Sequence, residues 1–332
     1  MRRPHAYILA SICAIVVIAG GFLAWTTYSP RFSQNASRHL ALSEEDLATL
    51  CKLVEGGDVD GVRSLLDRGA DPRYRYRYSW VRGDCLGETE LPLIALAARE
   101  GHSNLVELLG EYGADPEDLC SDEPGGRGTT ALGLAAFSGE KESVVSLIGL
   151  GADVEPKVEW SARPLFLALF GQAHAEDRSR PSGYTEIADI LVAHGASATM
   201  VDEDGCTLLH GQTTQYSRAS MEWVLAHGVD LNARDKPRNY TPLYMAIANR
   251  LDDAVSFFLE RGADTTIRDW RGRDAMNLAQ VCKASTIEEL LRSHAEKKKS
   301  AEQDSAGQPA TRSESNPEGG DKPQPESEGR SR

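Results

Sequence analysis

The chain has 332 residues, 36 of them basic and 50 acidic, for a net charge of −14. The imbalance is concentrated in residues 43–296, where 25 basic and 43 acidic side chains give a net of −18. A surface of that sign repels nucleic acid and anionic lipid headgroups; it suits a basic protein partner or serves solubility alone.

Residues 1–42 run against that trend, with Arg2, Arg3, Arg31 and Arg38 and no carboxylate. Ala6 to Tyr28 lacks charged residues and is mostly apolar. As a helix it would be about 34 Å long, enough to span a bilayer's hydrocarbon core. Trp25 and Tyr28 lie at its far end, where an interfacial belt places aromatics. Arg2 and Arg3 precede it, so the positive-inside rule keeps the N-terminus cytoplasmic and exports the chain beyond Tyr28. A cleaved signal peptide is the alternative, with Ala19-Gly20-Gly21 as a poor cleavage site. The run is longer than a usual signal core, which favours an uncleaved anchor over 1–28. Residues 29–42 lack helical periodicity and read as a linker.

Helical patterning starts at Ser43-Glu44-Glu45-Asp46, a capping residue followed by carboxylates in the first turn. Leu47, Leu50, Cys51 and Val54 form the apolar face of one helix, and Val62, Leu65 and Leu66 that of a second. Gly69-Ala70-Asp71 ends the pair, glycine taking a left-handed conformation that other residues resist. This ending returns at Gly113-Ala114-Asp115, Gly151-Ala152-Asp153, Gly195-Ala196-Ser197, Gly228-Val229-Asp230 and Gly262-Ala263-Asp264, at intervals of 44, 38, 44, 33 and 34 residues. Helix openings precede each: Pro92-Leu93, Thr130-Ala131-Leu132, Arg163-Pro164-Leu165, Thr207-Leu208-Leu209-His210 and Thr241-Pro242-Leu243. An insertion from Gln172 to Ser182 is expected to lengthen the inter-helix loop of the fourth unit. Gln212-Thr213-Thr214-Gln215 replaces the usual alanines in the fifth, whose first helix should be the least regular. A seventh unit, Asp274-Ala275-Met276 through Leu291, lacks the Gly-Ala-Asp ending and would cap the stack. Residues 297–332 are rich in Ser, Gly, Pro, Glu, Gln and Lys without an apolar pattern, and are expected to be disordered.

The opening T-P-L-H-x-A and the Gly-Ala-Asp ending, at a period of about 33 residues, resemble the ankyrin repeat. The resemblance covers residues 43–296. It implies an all-α solenoid of about seven helix-turn-helix units with β-hairpin fingers, here preceded by one transmembrane helix. It also implies that His210 makes a structural hydrogen bond and that the array binds protein.

Between the first two units lies Tyr74-Arg75-Tyr76-Arg77-Tyr78-Ser79-Trp80-Val81-Arg82. Its Arg/Tyr alternation has the strand period, so tyrosines fall on one face and arginines on the other. Tyr, Trp and Arg are enriched at interface hot spots. Arg75, Tyr76, Arg77, Tyr78 and Trp80 are therefore the candidate partner contacts; the competing reading is a long hairpin whose tyrosines pack on a neighbouring finger. Exposed tips near Trp160 and Trp270 are secondary candidates. Cys85 and Cys120 fall in enlarged loops of adjacent fingers, and export would permit a disulfide between them, which sequence leaves open. Cys51 and Cys282 read as buried thiols. The eight histidines form no metal pattern, and no His-Glu-x-x-His motif, phosphate loop or nucleophile elbow is present.

These features point away from an enzyme, a cofactor and a small-molecule substrate. They favour a membrane-anchored scaffold with its array outside the cytoplasm, periplasmic in a Gram-negative cell, binding one protein stoichiometrically. Narrower alternatives are an immunity or inhibitor protein masking an exported toxin, or an ankyrin effector acting on host proteins.

Overall fold

A computed structural model describes residues 43–82, 85–120, 128–175, 183–213 and 217–306. The expected membrane segment (6–28) and linker lie outside the described residues, as does the tail from 307 onward. Among the described residues seven helix pairs succeed one another. They are α1 (Glu44–Gly56) and α2 (Val59–Asp67), α3 (Leu93–Arg99) and α4 (Ser103–Glu111), α5 (Ala131–Ser138) and α6 (Lys141–Gly149), and α7 (Pro164–Ala175) and α8 (Tyr184–Ala193). The last three are α9 (Leu208–Gln212) and α10 (Arg218–Ala226), α11 (Pro242–Ala248) and α12 (Asp252–Glu260), and α13 (Ala275–Cys282) and α14 (Ser285–Ala306).

Two expectations are corrected. Gln172 to Ala175, expected in a loop, continue helix α7. The final helix passes the expected boundary at 296 and runs to Ala306, because Lys297 to Ala306 holds good helix formers and no proline. The fifth unit's first helix is short, as its composition implied: α9 has five residues.

The Gly-Ala-Asp ending does three separate jobs. Its glycine has a positive φ each time, from 81° at Gly262 to 108° at Gly195. A Cβ added at any of the six would meet nothing within 4 Å, so conformation and not crowding demands glycine. The next residue is buried, and in the five endings with alanine there its N–H bonds back to the last helical turn, as from Ala70 to the Leu65 carbonyl (3.0 Å) and Ala263 to that of Phe258 (3.0 Å). The aspartate then closes the following turn by accepting from the backbone N–H two residues on. It does so at Asp71, Asp115, Asp153, Asp230 and Asp264, at 2.8 to 2.9 Å. That second residue reaches across to the next unit's ending: Arg73 Nε to the Gly113 carbonyl, Glu117 to Asp153 N–H, and Asn232 to Asp264 N–H, at 2.8 to 3.0 Å.

A second inter-repeat bond runs through the openings. His210 is 1% exposed; its Nδ1 accepts from Thr207 N–H (3.1 Å) and its Nε2 faces the Tyr240 carbonyl (3.1 Å). A carbonyl can only accept, so Nε2 carries the proton and the ring is neutral. The sixth unit has Tyr244 at this position, fully buried, its hydroxyl donating to the carbonyls of Ile267 and Arg273. Removing that hydroxyl with Tyr244→Phe takes the donor from two part-buried carbonyls. Stability should fall by about 1–3 kcal/mol, read as a lowered thermal midpoint for loss of the helical signal.

Burial pushes His210 below the ordinary imidazole range, against the pull of the Tyr240 carbonyl and of Asp235 and Asp202. Its folded pKa thus lies below its unfolded one, and the unfolded chain binds more protons. The His210 contribution is complete above about pH 6.5 and is lost as pH falls below that value. In thermal unfolding at about pH 7.5 and about pH 5.5, the stability gap between the natural chain and His210→Gln should narrow on acidification.

Candidate functional site: the first finger

The Arg/Tyr stretch forms a two-stranded antiparallel hairpin, β1 (Arg75–Arg82) with β2 (Cys85–Pro92). Its register pairs Arg75 with Pro92, Tyr76 with Leu91, Arg77 with Glu90, Tyr78 with Thr89, Ser79 with Glu88 and Trp80 with Gly87. In this register the described side chains Tyr76 and Leu91 stand opposite each other, and the returning strand brings the acidic position Glu90 opposite Arg77.

The base of the hairpin is held by the array. Leu91 is buried, and Tyr76 is half-buried against the apolar core and hydrogen-bonds to Glu55 on α1. Arg75 pairs with Glu90 (3.7 Å) and donates to the Leu119 carbonyl of the next finger (2.5 Å). Two of the five candidate contacts, Arg75 and Tyr76, thus have structural partners. The side chains of Arg77, Tyr78 and Trp80 lie outside the described ones. On the next finger, Cys120 is buried and its backbone bridges to Thr129, whereas the side chain of Cys85 lies outside the described ones.

Trp160 is not an exposed tip. It sits in a short 3-10 turn, Trp160–Ala162, with its ring 4.6 Å from that of Phe166 on α7. The nearby Gly211 of α9 leaves room for it: a Cβ there would lie 3.0 Å from the indole. Trp270 does stand out, 58% exposed. Cys51 is buried as expected, whereas Cys282 is only partly so.

Burial, with Glu55 nearby, pushes the Cys51 thiol up to about 12. Burial and the charges of Asp202, Asp235 and Asp204 push Cys206 up to about 12 as well, so both stay protonated near neutrality. His210 is committed to two bonds. Among the described residues no group of three or more His, Cys, Asp or Glu is arranged to hold a metal ion.

Stacked helix pairs, left-handed glycine endings and fingers joined edge to edge define a repeat protein built to present surface. Residues 47–158 and 179–269 match the profile described as Ankyrin repeats (3 copies), and the chain belongs to that family. Among curated proteins it is similar to "E3 ubiquitin-protein ligase KEG" of Arabidopsis thaliana, at 36% identity over 95 residues (28% of this chain, 6% of that one). It is also similar to "Ankyrin repeat and SOCS box protein 16" of Mus musculus, at 27% over 151 residues (46% and 31%). The chain spans from 6% to 31% of the length of the first curated relatives it matches, so the likeness concerns their repeats. Among solved structures, the human ASB11 ankyrin repeat domain superposes with a TM-score of 0.55 at 20% identity, covering 74% of this chain and 96% of that one. The ankyrin repeat domain of Bcl-3 gives 0.51 at 20%, covering 73% and 97%. These likenesses establish the fold.

The hairpin makes separable demands on its two ends. Tyr76→Ala should lower array stability by about 1–2 kcal/mol, through lost burial and the lost bond to Glu55. Tyr78→Ala should stay within about 0.5 kcal/mol of the natural chain. Denaturant midpoints of the two variants check this, and equal losses would show the hairpin to be structural along its length.

Proposed function

We propose that this chain is a non-catalytic interaction scaffold, anchored in a membrane by residues 6–28 with its ankyrin array outside the cytoplasm, which holds one protein partner stoichiometrically. The observation that carries the scaffold reading is the ordered stack itself. Its units are tied to one another by buried side chains and by bonds between successive endings, so its surface is formed before any partner arrives. Preformed surface loses little conformational entropy on binding. The anchor rests on the uncharged, mostly apolar run from Ala6 to Tyr28 and the arginines before it. Among the described residues no helix is long and apolar enough to cross a membrane, and the 6–28 run lies outside them.

On this reading the partner meets the outer half of the first finger, through Arg77, Tyr78 and Trp80, and its wider surface is basic to suit the acidic array. Arg75 and Tyr76 support that half from below. Replacing Arg77, Tyr78 and Trp80 together by alanine should abolish co-purification of the partner from the native envelope while the helical signal is kept. Undiminished retention would remove the finger from the binding site. Orientation is tested separately, with a reporter active only outside the cytoplasm fused after Leu42 and after Ala306. Activity at both points is expected; silence at both, with a cytoplasmic reporter working, reverses the topology.

A further inference from the structure

The tips of the last two fingers form a surface of the opposite charge to the array. Residues 234–240 and 267–274 contain six cations (Arg234, Lys236, Arg238, Arg268, Arg271, Arg273) and three carboxylates (Asp235, Asp269, Asp274). The carboxylates are taken up by the fold. Asp235 is buried and accepts from the N–H groups of Arg238 (3.1 Å) and Tyr240 (2.7 Å). Asp269 is buried, accepts from Arg271 and Arg273 N–H (both 2.9 Å) and pairs with the Arg273 guanidinium at 2.6 Å. Asp274 caps α13 through Asn277 N–H (2.8 Å).

Of the cations only Arg273 is taken up with them; Arg234, Lys236, Arg268 and Arg271 are exposed, and Arg238 is half-buried over the Tyr240 ring. Arg238, Arg268 and Arg271 make no ion pair with the described residues; Arg268 donates only to the Gly272 carbonyl, at 2.7 Å. Lys236 leans the other way, to the Glu203 carbonyl of the acidic fifth tip. The two basic tips are fixed side by side, since Trp270 N–H donates to the Arg238 carbonyl (3.0 Å) and Asn239 Nδ2 to that of Arg268 (2.5 Å). Between the cations stands Trp270, 58% exposed, with the Arg271 guanidinium 4.5 Å from its ring centroid. An exposed indole flanked by unpaired arginines, on tips whose carboxylates are turned inward, has the composition of an interface hot spot.

We propose that the sixth and seventh finger tips bind an acidic segment of a partner protein, with carboxylates on Arg238, Arg268 and Arg271 and an apolar side chain on Trp270. This surface lies at the far end of the array from the first finger and does not depend on that assignment. Charge complementarity selects the occupant. The patch is small and local, whereas a nucleic acid or an anionic membrane would also confront the net charge of −18 over residues 43–296. A short acidic segment meets the patch without meeting the rest.

The test uses the full chain and a labelled twelve-residue probe peptide (about ten acidic residues around one leucine and one phenylalanine), followed by fluorescence anisotropy at low and near-physiological salt. Saturable binding is expected, weakened about tenfold or more by Trp270→Ala and by Arg271→Glu, and unchanged by Lys157→Glu, which alters net charge equally at a distant exposed site. Equal losses from Arg271→Glu and Lys157→Glu, or none from Trp270→Ala, would reduce the effect to general electrostatics and overturn the proposal. A single-stranded oligonucleotide or anionic vesicle of matched charge that binds better than the peptide would also overturn it. So would concentration-dependent dimerisation abolished by Arg271→Glu, which would give the patch to a second copy.

Discussion

No helix pair in this chain can bury itself. Leu93 to Ala98 on α3 are each at most 1% exposed, and all eight residues of α5 are buried, so these first helices are apolar on every side. A helix of that kind needs a neighbour on each flank, and stacking is the only arrangement that supplies one. The rest of the architecture is a consequence of that requirement. Second helices cover one edge and keep a polar outer face, as on α12, where Glu260 pairs with Arg218 of α10 at 3.0 Å. End units escape the requirement by being more polar, α14 carrying charge along its last turns. The requirement is met least well at α9. There Gln212 is buried where the neighbouring units have Ala168 and Ala246, Thr213 where they have Leu169 and Ile247, and both amide atoms of Gln212 lack a hydrogen-bond partner. An unpaired buried amide costs on the order of 1–3 kcal/mol, and in a nearest-neighbour stack that cost stays at the joints on either side of the fifth unit.

The stack is also aligned by a bond whose acceptor is fixed while its donor varies. In three units a side chain near the opening reaches the carbonyl immediately before the next opening. His210 reaches Tyr240, Tyr244 reaches Arg273, and Thr129 Oγ1 donates to Ala162 at 2.7 Å. The last case explains Gly133, which stands where the fifth unit has histidine and the sixth has tyrosine. A Cβ at Gly133 would lie 2.0 Å from Thr129 Oγ1. Losing the side chain at one position makes room for a donor four residues earlier. What is common to the repeats is a backbone geometry in need of a proton donor, and three residue types supply it.

That distinction decides how much the amino-acid order reveals by itself. The helix pairs and their endings are legible because each depends on a local property: apolar spacing, a left-handed glycine, an aspartate that closes its own turn. The weak α9 is legible for the same reason, from Gln212 and its neighbours. The ends of α7 and α14 are not, because loop-like composition does not stop a helix. Gln172 to Ala175 and Lys297 to Ala306 simply extend helices already nucleated. Trp160 is hidden for a different reason: its burial depends on Phe166 and on the absence of a side chain at Gly211, neither of them adjacent to it in sequence. Interactions between repeats are the part that local pattern does not contain.

The two ends of the array show how charge in the sequence differs from charge on the surface. The first finger looks basic along β1, with Arg75, Arg77 and Arg82, but Arg75 is held by Glu90 and a backbone carbonyl. The sixth and seventh tips look mixed, each cation standing close to an aspartate. Yet a carboxylate accepts bonds and cannot donate them, so in a tight turn it is drawn to the converging N–H groups and buried, while a guanidinium with only donors goes in only where it meets such a carboxylate, as Arg273 meets Asp269, and otherwise remains outside. Asp235 and Asp269 obey that rule, and Arg238, Arg268 and Arg271 are its consequence. Composition alone would choose the first finger as the basic surface. Once each carboxylate is assigned to the backbone groups it closes, unpaired positive charge is left at the other end of the array, around an indole that the fold leaves exposed.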